Sequence, residues 1–373
     1  MTDKSTQNLS PNDLMKSVIQ RIATGPEMSK DISREEAKLC MSSILKGEID
    51  ETRAAIFLIA LRMKRETDDE VLGVHDAIKE VTKSIKSTQN NIINIGDPYD
   101  GFTRNIPSSA FLLPVLAELG YPVFSHGIEC IGPKFGCTHN ITYKLLGLNV
   151  NMSIEEATER LENNKIAWAY LDQSQFCPAL HKLLNLREKI IKRPVITTIE
   201  VLANPIIGKQ THFVTGYVHK AYPPVYLNLS RNAGFNTALV IRGTEGGVIP
   251  ALNKNGKVHF YKDKNNDNES AEVDPLKDLN IDQKVRAVEV PNNIQKLNPS
   301  DKIESKVDPN DLASESIKLG LDALSGKDGV MKDCIIYGAS LILSNITNDD
   351  LPHCKKTVKE VIESGSCLKR IKQ

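Results

Sequence analysis

The chain has 373 residues, with 47 lysines and arginines against 47 aspartates and glutamates, so its formal net charge is zero. That length builds one large or two ordinary domains, and the charge balance excludes a chain-wide pull toward nucleic acid or membrane; any basic surface must be local. Seven scattered cysteines without a CxxC pair suit a reducing cytoplasm rather than a disulfide framework or a structural zinc.

Residues 1–90 read as helical. "SREEAKLCMSSILKGE" opens with a capping box, Ser33 with Glu36, ahead of Leu39, Met41, Ile44 and Leu45 on one face. The apolar run at residues 54–61 is too short to span a bilayer and reads as a buried helix. At its end Arg62, Lys64 and Arg65 precede Glu66, Asp68, Asp69 and Glu70. Cations at a helix C-terminus and anions at the next N-terminus follow from the helix dipoles alone; the three cations are also candidate phosphate contacts.

From residue 91 the texture changes. "NIINI", "YPVFSHG", "IAWAYL", "THFVTGYV" and "TALVIRG" are β-prone and mostly alternate with helical patterns. That alternation predicts an α/β fold with a mainly parallel central sheet flanked by helices. Residues 253–272 read as a hairpin with a polar, mobile tip, residues 274–311 as irregular surface, and residues 311–373 as helices. The expected division is a helical domain at 1–90, joined by a helix at about 178–193, and an α/β domain at 91–373.

Chemistry-bearing residues cluster in two places. "GDPYDG", residues 96–101, follows a strand and precedes a helix, where a glycine-bracketed turn can hold phosphate on backbone N–H groups. Pro98 has no N–H, however, and Asp97 and Asp100 repel anions. The second cluster is "PALHKLLNLREKIIKR", in which Lys182, Lys189, Lys192 and Arg193 share an arc of roughly 100° on a continuous helix. Such a row suits either a solvated face or phosphate tracking. Arg187 falls on the apolar side, as an inherited ligand contact or a buried ion pair. The spacing of His139, His181, His212 and His219 implies no metal. His126 reads either as a strand-end cap or as an anion contact, and "HCKKTVKEVIESGSCLKRIKQ" as a frayed basic tail.

These segments resemble, in order, those of anthranilate phosphoribosyltransferase, of glycosyltransferase family 3. "GDPYDG" stands for the family's GTGGDG diphosphate loop, "SHGIE" for KHGNR, "FCPALHKLLNLREKI" for HPAMK…VR, "LANP" for LGPLxNP, and "LVIRGTEGGV" for the strand before an Asp-Glu magnesium motif. The resemblance implies a nucleoside-phosphorylase-like fold with a separate helical dimerisation domain. It implies a vestigial ligand site at Gly96, Asp100, Gly101, His126, Gly127, Arg187 and Glu245, with Arg187 where the enzyme contacts its aromatic acid. Ser125, Ile128 and Glu129 remove two cations and add an anion, and Glu245 lacks its carboxylate neighbour. "YDGFTRN", "LGYPVFSHG" and "RGTEGGV" resemble more closely a non-biosynthetic bacterial group of the same family. That likeness implies a cytoplasmic homodimer binding single- or double-stranded nucleic acid without sequence preference, through Lys182, Lys189, Lys192, Arg193, Arg62, Lys64 and Arg65. It implies no cofactor, Mg²⁺ being needed only if transfer survives. A transferase of altered specificity and a protein–protein scaffold are the alternatives.

Overall fold

The computed structural model describes residues 9–25, 27–294 and 307–373. Four helices come first: α1 (Pro11–Ile22), α2 (Arg34–Leu45), α3 (Glu51–Lys64) and α4 (Asp68–Val81). Each begins where a short polar side chain accepts an N–H of the first turn. Ser10, Ser33, Asp50 and Thr67 take those of Asp13, Glu36, Arg53 and Glu70, and the second and fourth are full capping boxes. Helix α1 packs on α3 and α2 on α4, with Met15, Val18, Met41, Phe57, Leu58, Leu61 and Val74 sealed between them.

The remainder is an α/β unit. Strands β1 (Ile85–Lys86) and β5 (Ile206–Ile207) form a small parallel pair. The main sheet holds β2 (Asn91–Gly96), β3 (Val123–Gly127), β4 (Trp168–Asp172), β6 (Gln210–Gly216), β7 (Thr237–Ile241), β8 (Gly256–Tyr261) and β9 (Glu269–Val273). Its order is β4-β3-β2-β6-β7-β8-β9, parallel from β4 to β7 and antiparallel beyond. The five parallel strands are buried along nearly their whole length, as strands covered by helices on both faces must be. The order runs one way from β2 to β4 and the other way from β6. The crevice at the carboxyl ends of β2 and β6 is therefore the topological switch point, where open α/β sheets place ligands.

Several expectations need correction. The helix expected at 178–193 is broken into Pro178–His181 and Leu184–Ile190, and Ile191 closes the second piece in the left-handed region (φ 66°). Lys182 thus lies between helices, and Lys192 and Arg193 lie past the end, so the four cations share no helix face. The hairpin tip is clamped: Arg231 donates to the carbonyls of Lys264 and Asn266 and to Asn268 Oδ1, and stacks 4.1 Å from the Tyr261 ring centroid. The irregular stretch contains a short helix, Pro275–Leu279; its residues 295–306 lie outside the described residues, as do residues 1–8 of the helical region. The C-terminus is docked rather than frayed. Arg370 in helix Ser366–Arg370 donates to the carbonyls of Asn164, Lys165 and Ile166 and pairs with Glu118. Among the described residues no helix is long and apolar enough to cross a membrane.

Candidate functional site

At the end of β2, Gly96 lies so close to the next layer that a Cβ there would meet the Val201 carbonyl oxygen at 2.3 Å. The chain turns through residues 98–101, Gly101 N–H donating to the Pro98 carbonyl at 3.0 Å. Gly101 has φ 70°, and a Cβ would lie 2.6 Å from the backbone of Gly136 and Cys137, so no other residue fits. The turn implied by "GDPYDG" is intact. What fills it is the protein itself.

Tyr99 is buried, and its hydroxyl lies 2.5 Å from His126 Nδ1. The other ring nitrogen, Nε2, lies 3.0 Å from Asn94 Oδ1, while Asn94 spends its amide N–H on the Ala203 carbonyl. Oδ1 must then accept, so His126 is protonated on Nε2 and its Nδ1 accepts from tyrosine. Burial holds this imidazole neutral, with its pKa pushed down to about 3. His126 is a structural link, with no nitrogen left for an anion.

The two loop aspartates are also engaged. Asp97 accepts from Ser109 Oγ at 2.5 Å and from the Val248 N–H at 3.2 Å, beside His139 Nε2 at 3.2 Å. Asp100 pairs with Lys134 at 3.1 Å and with Arg193 at 2.6 Å. Arg193, expected as a phosphate contact, therefore already holds a carboxylate, although its side chain remains 42% exposed.

Glu245 shows the same principle most clearly. The N–H groups of residues 103–105 point into one concavity, an arrangement that binds anions. Glu245 fills it: Oε2 accepts from Thr103 N–H at 3.1 Å, and Oε1 from Arg104 N–H at 2.8 Å, Asn105 N–H at 2.9 Å and Asn105 Nδ2 at 3.1 Å. Its backbone sits at φ 54° to reach there. Deeper in, Arg187 makes two 2.7 Å hydrogen bonds to the Glu200 carboxylate, with both side chains buried. Burial raises the Glu200 pKa and Arg187 opposes that rise. Ser125 bonds His139 Nδ1 at 2.9 Å, and Glu129 meets Lys144 on the surface.

The remaining expected cations divide. Lys64 is turned inward onto Asp31 and Glu70, its side chain 4% exposed, so it presents nothing to a ligand. Arg62 is exposed and donates to Tyr222 Oη at 2.7 Å, with Glu66 at 3.9 Å. Lys189 pairs with Glu51 at the surface. Lys182, Lys192 and Arg65 are exposed and form no ion pair among the described residues. Gly127 ends β3 beside the Tyr170 and Tyr99 rings.

Above the plugged loop a cleft of about 610 Å³ stays open. Its walls include Tyr99, Asp100, Arg193, Tyr217, Tyr222, Tyr226 and Glu245, and its mouth Arg62, Arg104 and Arg286. Sequence reasoning missed Tyr222, Tyr226, Arg104 and Arg286. Only their positions just past β6, within the 94–105 stretch and at 286 could have drawn notice, and those positions meet only through the sheet order.

Comparison with known proteins places this architecture. Residues 16–81 match the model described as "Glycosyl transferase family, helical bundle domain". An uncharacterised protein of Aquifex aeolicus is 29% identical over 64% of this chain and 71% of its own length. An anthranilate phosphoribosyltransferase of Bacillus cereus is 27% identical over 96% of each chain. Among solved structures, anthranilate phosphoribosyltransferase from Saccharomyces cerevisiae in complex with PRPP and Mg overlays with a TM-score of 0.72 at 13% identity, covering 97% of this chain and 96% of that one; that likeness concerns the fold. The residues standing here do not fit such a ligand pair. Glu245 is consumed by backbone N–H groups and Tyr99 occupies the loop. The chain thus carries the helical bundle domain of the glycosyl transferase family on the fold of anthranilate phosphoribosyltransferase.

Proposed function

We propose that this chain is a non-catalytic, cytoplasmic nucleic-acid-binding homodimer on a transferase scaffold, working without a cofactor. One observation carries the reading. The groups that would hold a diphosphate and its metal are satisfied internally, while Arg62, Arg104, Arg286 and Lys192 are exposed; Arg62 has only Glu66 at 3.9 Å, and the other three form no ion pair among the described residues. Phosphoryl-type leaving groups need positive charge or metal free to meet them in the transition state. Polyanion binding needs only exposed cations spaced along a surface. Dimerisation is supported by α3, where Ile56 and Met63 lie one heptad apart on the same face and remain 37% and 75% exposed. The cysteines form no disulfide, which suits a reducing compartment. A transferase of altered specificity is less favoured, because Arg187 is already bound to Glu200.

The test is the salt dependence of binding. Replacing Lys182, Lys189 and Lys192 by alanine should leave folding intact, since all three are exposed. Affinity should fall for every sequence alike, and the slope of log affinity against log salt by roughly two to three units, near one for each phosphate no longer neutralised. Lys189 should contribute least, because Glu51 already holds it. Light scattering should give twice the 41.3 kDa chain mass. An unchanged slope in the triple variant removes these lysines from the phosphate contacts, and a monomeric mass removes the homodimer.

A further inference from the structure

Aromatic residues are 5% of the chain, and six of the nine tyrosines are buried. Of the three that are not, Tyr222 and Tyr226 stand in the cleft. They lie one turn apart on helix Tyr222–Ala233, so their rings share a face. The ring centroids are 6.0 Å apart at 36°, and His219 continues the row 6.3 Å from Tyr222. Arg62 crosses from α3 to hold this row, donating to Tyr222 Oη with its guanidinium carbon 6.0 Å from the ring centroid. Both rings are half-buried against the core, and their remaining surface lines the cleft.

The charges around the rings point the same way. Within the cleft Asp100 is neutralised by Lys134 and Arg193, and Glu245 is hydrogen-bonded by backbone N–H groups. At the mouth Arg104 and Arg286 are exposed and make no ion pair among the described residues. The site therefore offers two tilted tyrosine rings and exposed guanidinium groups lining the same cleft of about 610 Å³. That lies in the usual range for a pocket holding one small organic ligand, roughly 300–1,000 Å³.

We infer that the cleft receives one unpaired nucleotide, its base laid against Tyr222 and Tyr226 and its phosphate met by Arg62, Arg104 and Arg286. This rests on the nucleic-acid reading and gives it a specific seat. A paired base cannot reach the tyrosines without leaving its stack, so single strands bind more tightly than duplexes of equal charge. Every base has a stacking face, so the slot is tolerant of sequence.

The experiment uses the full chain and a single-stranded oligonucleotide carrying one 2-aminopurine, whose fluorescence falls when it stacks. Binding should quench it, and an oligomer of equal length and charge lacking its bases should bind about ten-fold or more weakly. The Tyr222→Leu, Tyr226→Leu pair should lose the quench, whereas Tyr222→Phe, Tyr226→Phe should keep it. Because the abasic oligomer leaves the protein unchanged, it decides the matter even if the leucine variant fails to fold. Equal affinity for abasic and natural strands, or a quench that persists in a folded leucine variant, overturns the inference while leaving phosphate-based binding in place. Absence of binding to any strand or duplex overturns the nucleic-acid reading itself. Quenching of the free 2-aminopurine nucleotide at micromolar protein, with oligonucleotides unable to compete, would assign the slot to a free nucleotide and overturn its role in strand binding.

Discussion

Replacing Arg187 by alanine should lower the unfolding free energy by about 3–5 kcal/mol, the range for a buried ion pair deprived of one partner. Arg187 is 4% exposed and Glu200 1%, and both guanidinium contacts are 2.7 Å. Without the arginine, Glu200 is a carboxylate in a site that already raises its pKa through burial. Burial then favours its protonated form, with no arginine left to oppose that, which limits the loss to the lower part of that range. Replacing both residues by methionine should cost far less, since no charge is then stranded. Urea unfolding of the single and double variants separates these cases, and a loss below about 1 kcal/mol for Arg187→Ala would mean that the pair is not the sealed contact described. The nucleic-acid salt slope should not move in this variant, because Arg187 is not at the surface.

Acid should unfold the protein well above the usual carboxylate range. His75, His126 and His212 are buried, and burial pushes their pKa values down to about 4, 3 and 4 from 6.5. In the unfolded chain each ring takes a proton near pH 6.5; in the folded chain each stays neutral until the lower value. Between those limits the unfolded state binds more protons, so stability rises with pH. The contribution is complete above about pH 6.5 and is lost as the pH falls toward about 4. Each histidine contributes a slope of about 1.4 kcal/mol per pH unit, and the three together about 4 kcal/mol per unit at most. The lowered pKa values of Asp76, after its hydrogen bonds to Arg34 and Asn232, and of Glu36, bound by Arg21, add in the same direction at lower pH. Urea midpoints at half-unit steps from about pH 7 to about 4.5 measure this. A flat profile down to about pH 5 would show that these rings are protonated in place.

Much of this fold was legible because it follows from short-range chemistry. The Ser33–Glu36 box, the β-branched run before Gly96 and the turn through Gly101 are each fixed within a few residues. The break in the basic segment was not legible, because Ile191 adopts a left-handed conformation that β-branched residues avoid, and only Pro194 downstream hints at an end. Pro98, Tyr99, Ser125 and Glu129, set beside the resembling family's motifs, implied that the diphosphate loop is not kept for its ligand. They did not announce what replaces it, because Glu200 meets Arg187 across a turn and Glu245 meets residues 103–105 from more than a hundred positions away. The phosphate-tracking face expected on one helix fails because that helix breaks at Lys182 and ends at Ile191, and Arg193 is claimed by Asp100, a partner that only the packing brings near. The tyrosine wall belongs to this class too, since Arg62 and Tyr222 come from the two halves of the chain.

The residues at the ligand positions that the resemblance implies are engaged by the protein's own groups. Tyr99 holds His126, Glu200 holds Arg187, Asp100 holds Lys134 and Arg193, and Glu245 holds the N–H groups of residues 103–105. Calorimetric titration of the full chain with phosphoribosyl diphosphate, with and without Mg²⁺, tests this directly. The expected result is no saturable heat at any concentration up to about 1 mM, weaker than roughly −4 kcal/mol of binding free energy, in either condition. Saturable, Mg²⁺-dependent binding in the micromolar range would contradict it, because Glu245 and Tyr99 would then have to leave the positions they hold here.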